Sequence, residues 1–345
     1  MNLLNKRFPN ERFPNLIIHI YYLMISFTFC YLYFHKFISH ADFYGTESSG
    51  GIYAVLSGIA LKPIQYRVLI PLIFKAISIV VSVVKHASDK AIFFSITIGL
   101  CYFVLLSFYF ILNKYFKSKA VNCWLAPVII YPMIWNFVIM NGQFFYMDFS
   151  VLLIISLGIY CIISEEYAWL LVVFFLGLLN HPSVGYLIPS FLLFNYKKFL
   201  AKKTIIYTTL MSVMYIGIYK LMDYLFPSTA GYFILYNLPR NLSLFTFFPI
   251  HIILRDIILN FGGLHLFAFL FFFTGLWKRY RGPFLYINLV VILYVISVFI
   301  NFSIEEIRNY ITIIPFVVIL SLLYLSTFEN SFLQPADSVL INKKI

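Results

Sequence analysis

Residues 40–71 read HADFYGTESSGGIYAVLSGIALKPIQYRVLIP and lie between the first long apolar run and the next. The stretch holds two acids, Asp42 and Glu47, a Gly50-Gly51 break, and a basic exit pair, Lys62 and Arg67, ahead of Pro71. The whole chain has 13 acidic residues, so an acid-bearing loop between apolar runs is where proton chemistry could be done. A partly desolvated carboxylate at an interface can take the proton of a hydroxyl or amine acceptor. Asp42, with His40 just before it, is the candidate base; a solvated loop acid explains its position equally well. Arg67 can grip a phosphate in bidentate fashion, which Lys62 does less well. The blander account of both is a basic side chain anchoring a helix end.

Other polar groups interrupt apolar sequence. Lys75 lies within the run that follows Arg67, where burial costs about 2.5–3.5 kcal/mol, so it should face a cavity or a partner. At i and i+8, Arg67 and Lys75 would sit about 80° apart on one helix. Asn141-Gly142-Gln143 and Asp148 form a polar patch, and Asn180-His181-Pro182-Ser183 breaks an apolar hairpin. Of the seven histidines His181 is best placed for a ligand role, although a capping turn residue is the commoner reading. Glu305-Glu306-Ile307-Arg308 precedes the last apolar run, and Glu305 with Arg308 at i, i+3 could form a local ion pair. His40, Asp42 and Glu47 match no recognised metal-ligand spacing, and P-loop, HExxH, GxSxG and GxGxxG patterns are absent.

Composition sets the frame that must position these groups. The chain has 345 residues, 62% hydrophobic and 11% charged, with a mean hydropathy of +0.91. Soluble domains carry about 25% charged residues. Repeated apolar runs of about 17–22 residues match a hydrocarbon core about 30 Å thick. The expected fold is all-α, a polytopic transmembrane helical bundle of about 10–11 spans, with a first outer loop carrying short amphipathic helices. One integral membrane domain covers 1–345, with a first extracytoplasmic loop at 39–65 and a second long polar connection at 227–263. The four cysteines lack CxxC spacing and read as small buried hydrophobes. The formal charge of +12 sits in clusters such as Lys114-Lys117-Lys119 and Lys197-Lys198-Lys202-Lys203, as cytoplasmic loops require, so nucleic acid is not an expected partner.

The first span is expected at about 16–38, entered from a basic cytoplasmic tail, which puts Asp42 outside. Further spans are expected near 66–84, 91–112, 149–163, 168–179, 183–194, 204–221, 264–277, 284–300 and 310–327. A Pro-broken piece occupies 121–140. This count carries a conflict: running forward from the tail, Lys114–Lys119 fall outside, against the positive-inside rule. One segment, either 121–140 or 50–61, should therefore fail to cross.

Asp42-Phe43-Tyr44 after the first span, Gln65-Tyr66-Arg67-Val68-Leu69-Ile70-Pro71, and Glu306-Ile307-Arg308 leading to Pro315 together resemble the GT-C superfamily of polytopic glycosyltransferases. Gly142-Gln143 before Asp148 is also similar to a short polar turn of that group. The resemblance implies transfer of a sugar from a polyprenyl-phosphate donor to a lipid-linked or cell-surface glycan acceptor, in a bacterial cytoplasmic membrane and among its lipids. It implies Asp42 as the catalytic base, and Arg67 and Arg308 as phosphate contacts. Lys62, His181, Glu47, Gln143 and Glu306 follow as further substrate-binding candidates. No cofactor is fixed, and a divalent metal stays open. The chain departs from the family pattern in the wide spacing of Asp42 and Glu47, and it has no soluble C-terminal domain. Two alternatives stand beside this reading: a flippase or transporter of a lipid-linked or anionic solute, and an O-unit polymerase-like enzyme.

Overall fold

The computed structural model describes residues 16–37, 51–62, 64–84, 88–134, 148–227, 237–247, 249, 251, 259–275, 283–301, 307–328 and 331–336. All its regular elements are helical: α1 (Leu16–Phe37), α2 (Ile52–Leu56), α3 (Leu69–Val84), α4 (Asp89–Tyr115) and α5 (Lys119–Leu125). Then come α6 (Asp148–Ile163), α7 (Tyr167–Leu178), α8 (Leu187–Phe194), α9 (Lys202–Leu225) and α10 (Leu238–Phe247). The series closes with α11 (Leu264–Phe273), α12 (Pro283–Asn301) and α13 (Ile314–Leu325). This agrees with the all-α expectation. Among the described residues, α4 and α9 are long and apolar enough to cross a membrane.

Local sequence explains the boundaries. Ser88 caps α4 by accepting from the Ala91 amide at 3.3 Å, and Asp89 in the first turn suits the positive end of the helix dipole. Ser118 caps α5 in the same way, through the Val121 amide at 3.4 Å. Pro315 stands in the first turn of α13, where its missing N–H costs nothing. From Ile314 to Leu323 every residue of α13 is buried, as expected of a helix that is apolar on all sides. It packs beside α11, with the Ser321 hydroxyl donating to the Leu264 carbonyl at 2.5 Å. The four cysteines are free and buried, in keeping with their reading as small hydrophobes.

The two lysine clusters lie at one end of the bundle. Helices α1 and α4 are antiparallel, because Phe27 meets Phe94 whereas His19 meets Tyr102. The start of α1 and the C-terminal half of α4 therefore point toward the same end. Lys114 lies over the Tyr160 ring near the end of α6, and Lys203 over the Tyr167 ring at the start of α7. Residues 331–336 join this end as a strap: the Lys117 amide donates to the Gln334 carbonyl and the Ala336 amide to the Tyr115 carbonyl.

At the opposite end α3 departs from the span expected over 66–84. Its first amide, Leu69 N–H, donates to the carbonyl of Leu179 just past α7, at 2.9 Å. Its later turns share a cleft with Asp89 at the start of α4. Phe149 beside Phe29, and Ser150 beside Asn180, set the Leu179 turn level with the start of α4. Both termini of α3 thus lie at the same end, and the helix runs across that end instead of down the bundle. The lysine clusters at 114–119 and 197–203 lie together at the other end.

Candidate functional site

Three connections meet at the end away from the two lysine clusters. One is the turn after α7, where Asn180, His181, Pro182 and Ser183 lead into a 3-10 segment, Pro182–Tyr186. Pro182 starts that segment and His181 caps it, its Nδ1 accepting from the Ser183 amide at 3.1 Å. An accepting Nδ1 is unprotonated, so the Ser183 hydroxyl, 2.7 Å away, also donates to it. Thr312 Oγ1 donates to Ser183 Oγ at 2.8 Å, and the Tyr294 hydroxyl donates to Thr312 at 3.1 Å. A directed chain of hydroxyls therefore runs from α12 through the entry to α13 and ends on the imidazole.

Thr312 belongs to a second 3-10 segment, Ile307–Ile313, which carries Arg308 in its backbone. This segment packs on α6, α12 and the segment behind His181. At its far side Ser150 of α6 donates to Asn180 Oδ1 at 2.8 Å, and Asp148 is buried in the first turn of the same helix. The Asn180 amide nitrogen, fully buried, has no hydrogen-bond partner among the described residues.

The third connection holds Lys62, Tyr66 and Arg67. Gln65 fixes it as a buried clasp, accepting from the Ala60 amide and donating to the Val55 carbonyl, each at 2.9 Å. Tyr66 donates to Asp223 in the last turn of α9, and Lys62 pairs with the same carboxylate at 3.1 Å. The Tyr66 phenol and Asp223 carboxylate together raise the Lys62 pKa above its ordinary value. Burial, then the bond to Asp223, raises that of Tyr66. Arg67, half-buried, is within electrostatic reach of Tyr219 on α9. Because α3 starts at Leu69, Arg67 and Lys75 do not share one helix: Arg67 faces α9, while Lys75 opens onto the cleft beside α4.

Tyrosine rings pack against one another beside these connections. Tyr66 and Tyr219 have ring centroids 6.2 Å apart, Tyr215 and Tyr219 4.9 Å, and Tyr186 and Tyr294 4.4 Å. Gly185 lets Tyr215 close in, since a Cβ there would come within 2.6 Å of that ring.

The structure thus gathers Lys62, Arg67, His181 and the backbone of Arg308 at one end. His40, Asp42, Glu47, Gln143, Glu305 and Glu306, and the side chain of Arg308, lie outside the described residues. Among the described residues no cluster of His, Cys, Asp and Glu could hold a metal ion. Sequence reasoning missed Asp223 and the hydroxyl chain. Asp223 had a signal: it is an acid just past a long apolar run of an acid-poor chain. Thr312 and Tyr294 had none, being ordinary residues of apolar sequence whose pairing depends on the tertiary fold. No protein-family model matches this chain, and no curated protein or solved structure is similar to it.

Proposed function

We propose that the chain is a polytopic membrane glycosyltransferase of the GT-C type, moving a sugar from a polyprenyl phosphate to a lipid-linked or cell-surface glycan acceptor. In this reading the lysine-rich end faces the cytoplasm, as the positive-inside rule asks, and the end bearing Arg67 and His181 faces outward. The observation that carries the proposal is the gathering of Arg67, His181 and the Arg308 segment at the end remote from the two lysine clusters, across which α3 lies. A transferase drawing its donor from the outer leaflet needs its phosphate-binding groups there.

The chemistry would be an inverting displacement. Asp42 takes the proton of the acceptor hydroxyl, whose oxygen attacks the anomeric carbon. The bond from that carbon to the phosphate oxygen breaks, and polyprenyl phosphate leaves with the electron pair. Arg67 and Arg308 meet the charge that develops on the leaving phosphate, which is where fixed cations accelerate such a reaction. The Tyr66, Tyr215 and Tyr219 rings offer faces on which a sugar can stack. His181, oriented by Ser183, serves to hold a donor or acceptor hydroxyl. Purified protein in detergent should release polyprenyl phosphate from a polyprenyl-phosphate sugar in the presence of acceptor, and Asp42→Asn should abolish release without altering the melting curve. Full activity in Asp42→Asn would remove Asp42 as the base; release requiring a sealed, energised membrane would favour a transporter.

A further inference from the structure

A cleft of about 550 Å³ lies between α2, α3 and the start of α4. Lys75, Ser78 and Ser82 line it from α3 at i, i+3 and i+7, one polar stripe along an otherwise apolar helix. Tyr53 of α2 and Asp89 of α4 face it from the other walls, and Phe74 and Ile92 supply apolar surface. We propose that this cleft binds a zwitterionic ligand carrying a phosphate and an ammonium group, of the phosphoethanolamine class.

Two opposite charges share the cleft and are not paired with each other. Among the described residues Lys75 has no ion pair, and its exposed ammonium borders the cleft. Asp89 accepts the Tyr53 hydroxyl at 2.5 Å, a bond that fixes the orientation of the carboxylate. The Ser78 hydroxyl, shielded from solvent, has no partner among the described residues and can turn toward a phosphate oxygen. Ser82 donates to the Ile79 carbonyl at 2.8 Å and keeps its oxygen lone pairs for a donor.

A ligand bearing phosphate alone would satisfy Lys75 and be repelled by Asp89; a ligand bearing both charges satisfies both walls. The cleft lies within the usual range for ligand pockets, about 300–1,000 Å³. Its apolar lining suits the glycerol and upper acyl carbons of a lipid, and the same charges would hold the free headgroup. The proposal does not depend on glycosyl transfer.

Native mass spectrometry of the full-length protein in detergent tests it, comparing phosphatidylethanolamine with phosphatidylglycerol. The wild type should retain the ethanolamine lipid about tenfold to a hundredfold better, the worth of one charge-assisted hydrogen bond. Asp89→Asn should erase that preference while still binding either lipid. Lys75→Gln should weaken retention of both, whereas Lys75→Arg and Tyr53→Phe, which keep both charges, should keep the preference. Should Lys75→Gln not fold, Asp89→Asn decides alone. Displacement of the lipid by soluble O-phosphoethanolamine identifies a site for the headgroup; its failure, with the lipid preference intact, identifies a site for the lipid-borne form. Equal retention of the two lipids by the wild type, or an unchanged preference in Asp89→Asn, overturns the proposal.

Discussion

Thr312 donates its hydroxyl to Ser183 across 2.8 Å, tying the segment that carries Arg308 to the turn that carries His181. Neither residue is charged, yet the bond decides how two candidate substrate contacts stand to one another. Hydrogen bonds of this kind contribute about 0.5–1.5 kcal/mol each. Ser183→Ala and Thr312→Val should each lower stability by about 1 kcal/mol, and the double variant should lose less than the sum because the residues share one bond. Thermal unfolding of the four proteins in one detergent reads the coupling. Additive losses would mean the bond contributes nothing in solution.

The Lys62–Asp223–Tyr66 triad predicts a reactivity change. Its partners raise the Lys62 pKa, the Tyr66 phenol foremost, so at pH 8–9 less of its amine is neutral than in a lysine without partners. Asp223→Asn removes one of the two groups that favour the ammonium, and the pKa should fall. Acylation of Lys62 by an anhydride at that pH should then speed up severalfold relative to exposed Lys90, as read by peptide mass spectrometry. An unchanged rate would show that the pairing is broken in solution.

The course of α3 predicts a labelling pattern. In sealed vesicles, cysteines placed at Leu72, Val80 and Lys90 should all react from the side on which Tyr224→Cys reacts. Cysteines at Lys119 and Lys202 should react from the other side. A helix that crossed the bundle would put Leu72 and Lys90 on opposite sides, and such a result would restore the extra span.

Much of the helical frame is legible in the sequence because apolar runs, caps and prolines are local signals: Ser88, Ser118 and Pro315 each mark a helix start where the structure has one. The failure at 69–84 is informative. Hydropathy sees an apolar run and reads a crossing, but Lys75, Ser78 and Ser82 fall on one face, a pattern suited to a helix lying along an end. The site was legible where unlike residues interrupt apolar sequence, as at Arg67 and His181. It was not legible where ordinary hydroxyls meet across the fold, as with Tyr294, Thr312 and Ser183, because nothing local marks which serine a threonine will find.

The strap formed by residues 331–336 bears on the order in which the molecule can be completed. Its backbone bonds are made to the stretch around Phe116, so a surface made early in synthesis keeps an open seam until a segment more than 200 residues later arrives. Leu333, 3% exposed, fills that seam. A chain ending just short of it would leave the backbone around Tyr115 and Lys117 without these two bonds.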